Sequence, residues 1–391
     1  MPRNEKYAFR LCGYTGFLLS FVQSLVLVRH LGLSQLTLLG ITGTVILTFY
    51  VLMMITKILA SGEVIIYYHH EIAVIATSAL FLRLTGQPVL PYLDVLVLGL
   101  GVFLACGRIG CLIVGCCHGR PCRWGVRYGS AHADAGFPRD LVGVRLFPIQ
   151  AVESALALCI VSAGWLLLLA RHAPGSVLVG YVIAYGCGRF CLEFFRGDAG
   201  RPYLWDFSEA QWTSGILAVA VSIGASVRIL PASKWHWIVP ACLGIAMVVL
   251  TAWRRLDPSR RFELFHPHHL REVVGALDHL DHRLFDARFS REPDGSLTVH
   301  VAQTSRGYRL SIGETRGASG LIRHYSLSKK DGALSLGAAR ILARLITSLQ
   351  RRSFSFRLVE GRAGVFHVLL NTRSDSPQEV LRRAILNKKP A

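Results

Sequence analysis

The fold of this chain follows from residues 89–119, VLPYLDVLVLGLGVFLACGRIGCLIVGCCHG. Residues 89–106 are almost all apolar, close to the length of about 20 residues that crosses a bilayer as a helix. They lead into Arg108 within a glycine-rich segment. An arginine at membrane depth is costly because hydrocarbon offers neither water nor counter-ions, so it normally faces a protein interior or a water-filled cavity. The stretch therefore predicts a membrane helix that ends at a functional site.

The composition of the whole chain agrees with a membrane protein. Of its 391 residues, 52% are hydrophobic and only 17% are charged, and the mean hydropathy is +0.42. These values exclude an ordinary soluble protein. The other long apolar runs are residues 17–28, 36–55, 151–170, 176–185, 215–227 and 237–252, with a shorter run at 72–84. We therefore expect an α-helical multi-span membrane protein with seven to eight transmembrane helices.

The C-terminal third of the chain differs from the rest in charge and pattern. The net charge of the protein is +19, and residues 254–391 contain 25 Lys and Arg against 13 Asp and Glu. Alternating apolar residues in the segments 297–301, 308–312, 354–359 and 365–370 predict strands, and residues 334–349 have helical spacing. We expect two parts: a transmembrane domain, residues 1–253, and a basic linker with a small soluble α+β domain of unknown role, residues 254–391. No nucleic-acid-binding pattern is visible, so membrane lipids are the expected partner of the basic flank and nucleic acid is not.

Polar residues recur on one face of a second apolar segment. Tyr185, Arg189, Glu193 and Arg196 are spaced at four, four and three residues, which places them on one helix stripe. Arg189 and Glu193 can form an ion pair, and the planar guanidinium group suits a phosphate because it donates two parallel hydrogen bonds. The stripe thus favours an anion site, although an internal ion pair that only fixes helix packing is the alternative.

Cysteine and histidine residues raise further possibilities. Four of the ten cysteines are Cys111, Cys116, Cys117 and Cys122. Their spacing is a poor match to zinc-binding patterns, so we predict a structural role, with a disulfide as the alternative. We predict no metal and no cofactor. The pair His69-His70 precedes the short apolar run, where a histidine is either a general base or an interfacial residue.

Four motifs together resemble the phosphatidylglycerol–prolipoprotein diacylglyceryl transferase family. The first is the Gly-Arg-x-Gly segment, and the second is a Pro-x-Gln-x-x-Glu segment. The third is Tyr-Gly-x-x-Arg-x-x-x-Glu-Phe-x-Arg, and the last is Ser-x-x-Gln. In this chain they begin at Gly107, Pro148, Tyr185 and Ser208. The resemblance covers about the first 230 residues and is specific because the motifs recur in order.

The resemblance implies a multi-pass enzyme of the bacterial inner membrane. Such an enzyme transfers diacylglyceryl from phosphatidylglycerol to the lipobox cysteine of a preprolipoprotein signal peptide and releases glycerol phosphate. By position, Arg108 and Arg189 hold the phosphate, Tyr185 and Glu193 orient Arg189 and the headgroup, and His69 assists deprotonation of the thiol. The remaining matching positions, expected to bind the phospholipid, are Arg196, Gly119 and Gln150.

Some positions depart from the family pattern. The family's His-Gly-Gly is His69-His70-Glu71 here, so either histidine can occupy the family position, and Cys111 replaces the usual asparagine. A paralogue that acts on another lipid or acceptor, a non-catalytic lipid-binding protein and a thiol oxidoreductase are therefore the alternatives. An eighth span at 237–252 would place the tail outside the cell, whereas its basic flank favours the cytoplasm.

Overall fold

The structure, a computed structural model, describes residues 2–59, 67–198, 202–233, 235–256, 266–289, 300–317, 320–349 and 356–372. The N-terminal part is a bundle of long helices. In chain order, and with the short α5 included, the helices are α1 Pro2–His30, α2 Gln35–Leu59, α3 Tyr67–Leu84, α4 Val89–Val114, α5 Ser130–Asp134, α6 Ile149–Leu169, α7 Ser176–Leu192, α8 Glu209–Ser226 and α9 Trp235–Leu256. The predicted class of multi-span helical membrane protein is confirmed.

Six of the helices in the described ranges are long and apolar enough to cross a membrane: α1, α2, α4, α6, α7 with the turn that follows it, and α9. This number is below the seven to eight that we predicted. The other two long helices, α3 and α8, have 18 residues each. Their first turns are polar, and those polar residues belong to the site described below.

Short connections gather at one end of the bundle, which we call the short-loop end. There the Tyr92 hydroxyl donates to the carbonyl of Ser34 at 3.0 Å. The buried Asp94 of α4 accepts hydrogen bonds from the backbone N–H groups of Gly175 and Leu178 at 2.6 and 2.7 Å. A carboxylate in this position satisfies N–H groups that the first turn of α7 would otherwise leave unpaired. Asp94 therefore fixes α7 against α4.

The opposite end carries an extramembrane arm, residues 115–148, and we call it the arm end. Strand β1 Pro121–Arg127 pairs antiparallel with β2 Arg145–Leu146. The arm joins the end of α7, because the N–H of Arg120 donates to the carbonyl of Phe195 at 2.9 Å. A hairpin of β3 Tyr203–Leu204 and β4 Phe207–Ser208 precedes α8 at this end.

The C-terminal region is the α+β domain that the pattern predicted. Helix α10 Pro267–Phe289 precedes a five-stranded antiparallel sheet, in the order β5-β6-β7-β9-β8. The elements are β5 Val301–Gln303, β6 Tyr308–Gly317, β7 Gly320–Lys329, α11 Leu336–Leu349, β8 Phe356–Glu360 and β9 Phe366–Thr372. Residues 297–299 of the first predicted strand lie outside the described residues. The sequence pattern missed α10 and β7, and β7 is the central strand that completes the sheet.

Helix α9 returns the chain to the arm end. Arg254, in its last turn, donates to the carbonyl of Asp206 at 3.0 Å and lies 5.0 Å from the ring centre of Phe207. The domain that follows packs on the arm, where Val274 of α10 joins a buried apolar cluster with Tyr128 and Leu141. The sequence left open on which side of the membrane the C-terminal domain lies. The structure places that domain on the same side of the bundle as the arm.

We expect protease sites inserted at Gly136 in the arm and at Gly332 in the C-terminal domain to be cut from the same side of sealed membrane vesicles. A site inserted after His172, in the exposed loop at the short-loop end, is the control and should be cut only from the other side. All three positions are exposed. Cleavage of the Gly332 site together with the His172 site would contradict the arrangement.

Candidate functional site

A single buried carboxylate, Glu153 at the start of α6, lies at the centre of the charged residues. Its Oε2 atom is 2.9 Å from Nε of Arg108, 3.6 Å from Nη1 of Arg189 and 3.7 Å from Nη1 of Arg196. Its other oxygen accepts a hydrogen bond from the Tyr185 hydroxyl at 2.9 Å. The Glu153 side chain is completely buried. It therefore ties α4, α6 and α7 together.

A second carboxylate, Glu193, completes what we call the charge cluster: Arg108, Glu153, Tyr185, Arg189, Glu193 and Arg196. Glu193 pairs with Nη2 of Arg189, as the four-residue spacing predicts, and its Oε1 lies 3.9 Å from Nε of Arg196. Arg196 also forms a two-point pair with Asp198, at 2.8 and 3.1 Å. Arg196 is thus held on two sides.

The charge cluster contains three guanidinium groups and two carboxylates, and Asp198, which pairs with Arg196 at its edge, makes the charges equal in number. Three guanidinium groups face the two buried carboxylates, and the remaining carboxylate, Asp198, is 24% exposed at the edge. Glu153 engages Arg108 through Nε, which leaves the terminal nitrogens of that guanidinium for another acceptor. Guanidinium N–H groups that face a low-dielectric cavity attract an anion. The arrangement is therefore suited to bind one.

An apolar cavity of about 700 Å³ opens beside the charge cluster. Most of its lining comes from α1, α2 and α4, with side chains such as Phe17, Phe21 and Phe103. Of the predicted site residues, Arg108, Tyr185 and Arg189 line the cavity. Apolar walls with a few converging polar groups are typical of a ligand site. An amphiphile with an anionic head fits this combination.

Three of the predicted site residues lie behind the cavity wall, and these are Arg196, Gly119 and Gln150. Arg196 is completely buried, and the side-chain amide of Gln150 donates to the carbonyl of Cys116 at 2.8 Å. Gly119 forms a β-bridge with Arg196, and a Cβ atom on Gly119 would collide with the carbonyl oxygen of Phe147. The structure thus gives each of them a contact that positions the arm or the arginines.

The two neighbouring histidines face different surroundings. His70 is buried and lines the cavity, as does Glu71. His69 is half exposed and lies 2.6 Å from Glu209 at the start of α8; it is not among the cavity-lining residues. The structure therefore brings His70, and not His69, to the cavity. Successive side chains on a helix point about 100° apart. The choice between His69 and His70 therefore decides whether the histidine faces the cavity.

The last motif of the resemblance, from Ser208 to Gln211, forms a helix cap. The hydroxyl of Ser208 accepts from the N–H of Gln211, and the amide oxygen of Gln211 accepts from the N–H of Ser208. This capping box fixes the first turn of α8. The amide nitrogen of Gln211 also donates to the carbonyl of Phe190 at 3.3 Å, which joins α8 to α7.

Three of the four clustered cysteines come together. The sulfur atoms of Cys111, Cys116 and Cys117 all lie within 4.8 Å of one another, and these residues line the cavity. Hydrogen bonds with Cys111 and Cys116, and then the positive charges of Arg196 and Arg108, hold the pKa of Cys117 well below that of an ordinary thiol. Cys122 is separate, because its thiol donates to the carbonyl of Trp124.

The family model described as prolipoprotein diacylglyceryl transferase matches residues 37–227.

Three similar proteins bear the name phosphatidylglycerol–prolipoprotein diacylglyceryl transferase. The first, from Clostridium tetani, is 34% identical over 146 residues, 37% of this chain and 55% of that protein. The second, numbered 2 in Clostridium perfringens, is 34% identical over 117 residues, 28% of this chain and 41% of that protein. The third, from Paracidovorax citrulli, is 27% identical over 191 residues, which are 48% of this chain and 60% of that protein. The chain thus matches less than two thirds of the length of each.

The substitution Glu153→Gln should destabilise the protein, because it leaves the three arginines without their shared carboxylate. Breaking a buried ion pair on one side costs on the order of 3–5 kcal/mol. We expect a clear fall in the temperature at which the detergent-solubilised protein unfolds. Glu209→Gln is the matched control, since that side chain is 35% exposed and its loss should have little effect. Equal stability of both variants would argue against the central role of Glu153.

Proposed function

Because residues 37–227 match the model of the prolipoprotein diacylglyceryl transferase family, we propose that this protein transfers diacylglyceryl from phosphatidylglycerol to a cysteine thiol. The acceptor is the lipobox cysteine of a preprolipoprotein, and the second product is glycerol phosphate. The apolar helices support a location in a membrane, and we propose the bacterial inner membrane.

The observation that carries this proposal is the pair of guanidinium groups, Arg108 and Arg189, at the polar end of an apolar cavity. A phospholipid has a monoanionic phosphate between its acyl chains and its headgroup, and it would lie with the chains against the phenylalanine-rich wall. Its phosphate would then meet Arg108 and Arg189, the two arginines that line the cavity. Glu153 and Glu193 hold these guanidinium groups in position before the lipid arrives. Such pre-organised charges stabilise developing negative charge without reorganisation.

The transfer step makes one bond and breaks one. The sulfur of the acceptor thiolate attacks the glyceryl carbon that carries the phosphate ester, and a carbon–sulfur bond forms. The carbon–oxygen bond to phosphate breaks, and its electron pair leaves with the phosphate oxygen. Arg108 and Arg189 stabilise this added charge, while Tyr185 holds the carboxylate of Glu153 that orients them. Arg196 acts through Glu153 and Glu193 from behind the cavity wall.

A thiol is mostly protonated at neutral pH and must lose its proton to become a good nucleophile. His70 is the histidine that faces the cavity, so it is suited to accept that proton. His69 acts indirectly, since its contact with Glu209 positions the first turn of α8.

We expect Arg108→Ala and Arg189→Ala each to lower transfer by about 10²–10³-fold, the effect of removing one donor to a developing oxyanion. The assay follows labelled phosphatidylglycerol and a lipobox peptide in detergent. Arg83→Ala is the matched control, because Arg83 is exposed in the last turn of α3. Normal transfer by the first two variants would contradict their phosphate role. Label transferred from a different phospholipid would instead identify a paralogue with altered specificity.

The histidine pair gives a separate prediction. His70→Gln should lower the rate of transfer by about 10²–10⁴-fold, as expected for loss of a general base. His69→Gln should retain most of the rate, because its side chain lies outside the cavity lining. Transfer rates measured from pH 6 to 9 provide the readout, since the His70→Gln variant should recover as hydroxide replaces the base. A larger loss with His69→Gln would reverse the assignment.

A further inference from the structure

The cysteine cluster formed by Cys111, Cys116 and Cys117 is the part of the site that the proposed transfer leaves unexplained. Its three sulfur atoms lie within 4.8 Å of one another. All three residues line the cavity that holds Arg108. The cluster therefore lies where the acceptor thiol and the phosphate ester have to meet.

The backbone after α4 is folded so that these cysteines converge. Cys111 lies in the last turn of the helix, which ends at Gly115 with a left-handed φ of 86°. Cys117 also has a positive φ, 54°, a conformation that is unusual for a residue with a side chain. Gln150 of α6 holds the carbonyl of Cys116 at 2.8 Å. The positive φ angles of Gly115 and Cys117 and the hydrogen bond from Gln150 thus turn the chain back towards Cys111.

We propose that these three cysteines bind one thiophilic divalent metal ion, with Zn²⁺ the best match, and that the fourth metal position is open to the cavity and receives the acceptor thiol. Thiolates are soft ligands that select zinc among the common divalent ions. A closed structural site has four protein ligands, whereas a catalytic site has three and an exchangeable position. This inference rests on the proposed transfer reaction, which it equips with a means of activating the thiol.

Distances and charges fit this assignment. Three thiolates around a tetrahedral zinc, each about 2.3 Å from the metal, are separated by about 3.8 Å. Small side-chain rotations reach that spacing from the separations in the cluster. Zn²⁺ with three thiolates carries one negative charge, and the positively charged Arg108 lines the same cavity as the three cysteines. The metal site and the charge cluster therefore stabilise each other.

The neighbouring metal-ligating side chains of the arm are directed elsewhere. The thiol of Cys122 donates to the carbonyl of Trp124. The Nδ1 atom of His118 is 3.0 Å from the carbonyl oxygen of Gly119, and its ring packs against Phe137. Within the residues that the structure describes around the cluster, three sulfur ligands thus converge, and the cavity side is left for an incoming group.

The activation step conserves atoms and charge. The acceptor thiol displaces water from the metal, binds as thiolate and gives its proton to His70, the base of the proposed transfer, because a thiol coordinated to zinc is deprotonated outright. The metal-bound sulfur then forms its bond to the glyceryl carbon as the carbon–oxygen bond to phosphate breaks. The product is a neutral thioether, a weaker ligand than a thiolate, so it leaves and water returns. No oxidation or reduction takes place.

The metal content of the full-length protein is the first test. Protein purified in detergent with a thiol reductant, then incubated with Zn²⁺ and desalted, should retain about one zinc per chain by elemental mass spectrometry. Cys117→Ser should lose this zinc. The matched control Cys122→Ser should keep both the metal and the transfer activity, because Cys122 lies outside the cluster. No retained zinc in the unaltered protein, or a disulfide among the three cysteines in its place, would overturn the proposal.

The open position is tested with Co²⁺ in place of Zn²⁺. Addition of a lipobox peptide should change the visible absorption of the cobalt site, whereas the same peptide with serine at the lipobox position should not. An unchanged spectrum with both peptides would mean that the fourth position is closed, which contradicts thiol activation.

Transfer measured before and after metal removal separates this inference from the proposed function. Loss of transfer with a chelator and recovery of transfer with Zn²⁺ support both the metal site and the proposed transfer reaction. Full transfer by metal-free protein overturns the metal inference alone. Zinc-loaded protein that binds phosphatidylglycerol but transfers nothing overturns the proposed transfer and, with it, the activation role.

Discussion

The ion pairs of Glu153 join parts of the chain that are far apart in sequence. Arg108, Arg189 and Arg196 come from α4, from α7 and from the turn after α7, and all approach one carboxylate oxygen. Separately, each buried charge would be too costly to keep in a membrane bundle. Together they form a compact arrangement that fixes the helices and leaves Arg108 and Arg189 in the lining of the cavity. Stability and binding thus depend on the same contacts.

The two ends of the bundle are built for different purposes. At the short-loop end, polar groups such as Asp94 satisfy backbone N–H groups and close the helices together. At the arm end, the polar residues converge on a cavity, and the chain between helices is long enough to form the arm. The C-terminal domain rests on that arm through α10.

A nucleophilic sulfur needs help to lose its proton, and two groups at the cavity can supply it. His70 is the base that we propose, and the cysteine cluster is the metal site that we propose. The two are compatible, since a base can remove the proton that coordination acidifies. In this chain both line the same cavity as Arg108.

Reading along the chain was enough to identify the membrane class, the α+β tail, the arginine stripe and the family resemblance, because these depend on local periodicity and motif spacing. It also found Arg108 and Arg189. It did not find Glu153 as the centre of the cluster, although that residue was visible in the Pro-x-Gln-x-x-Glu motif. Nor did it choose between His69 and His70 or bring the three cysteines together. Those outcomes depend on which helix faces meet and how the chain turns after α4, and only long-range packing decides them.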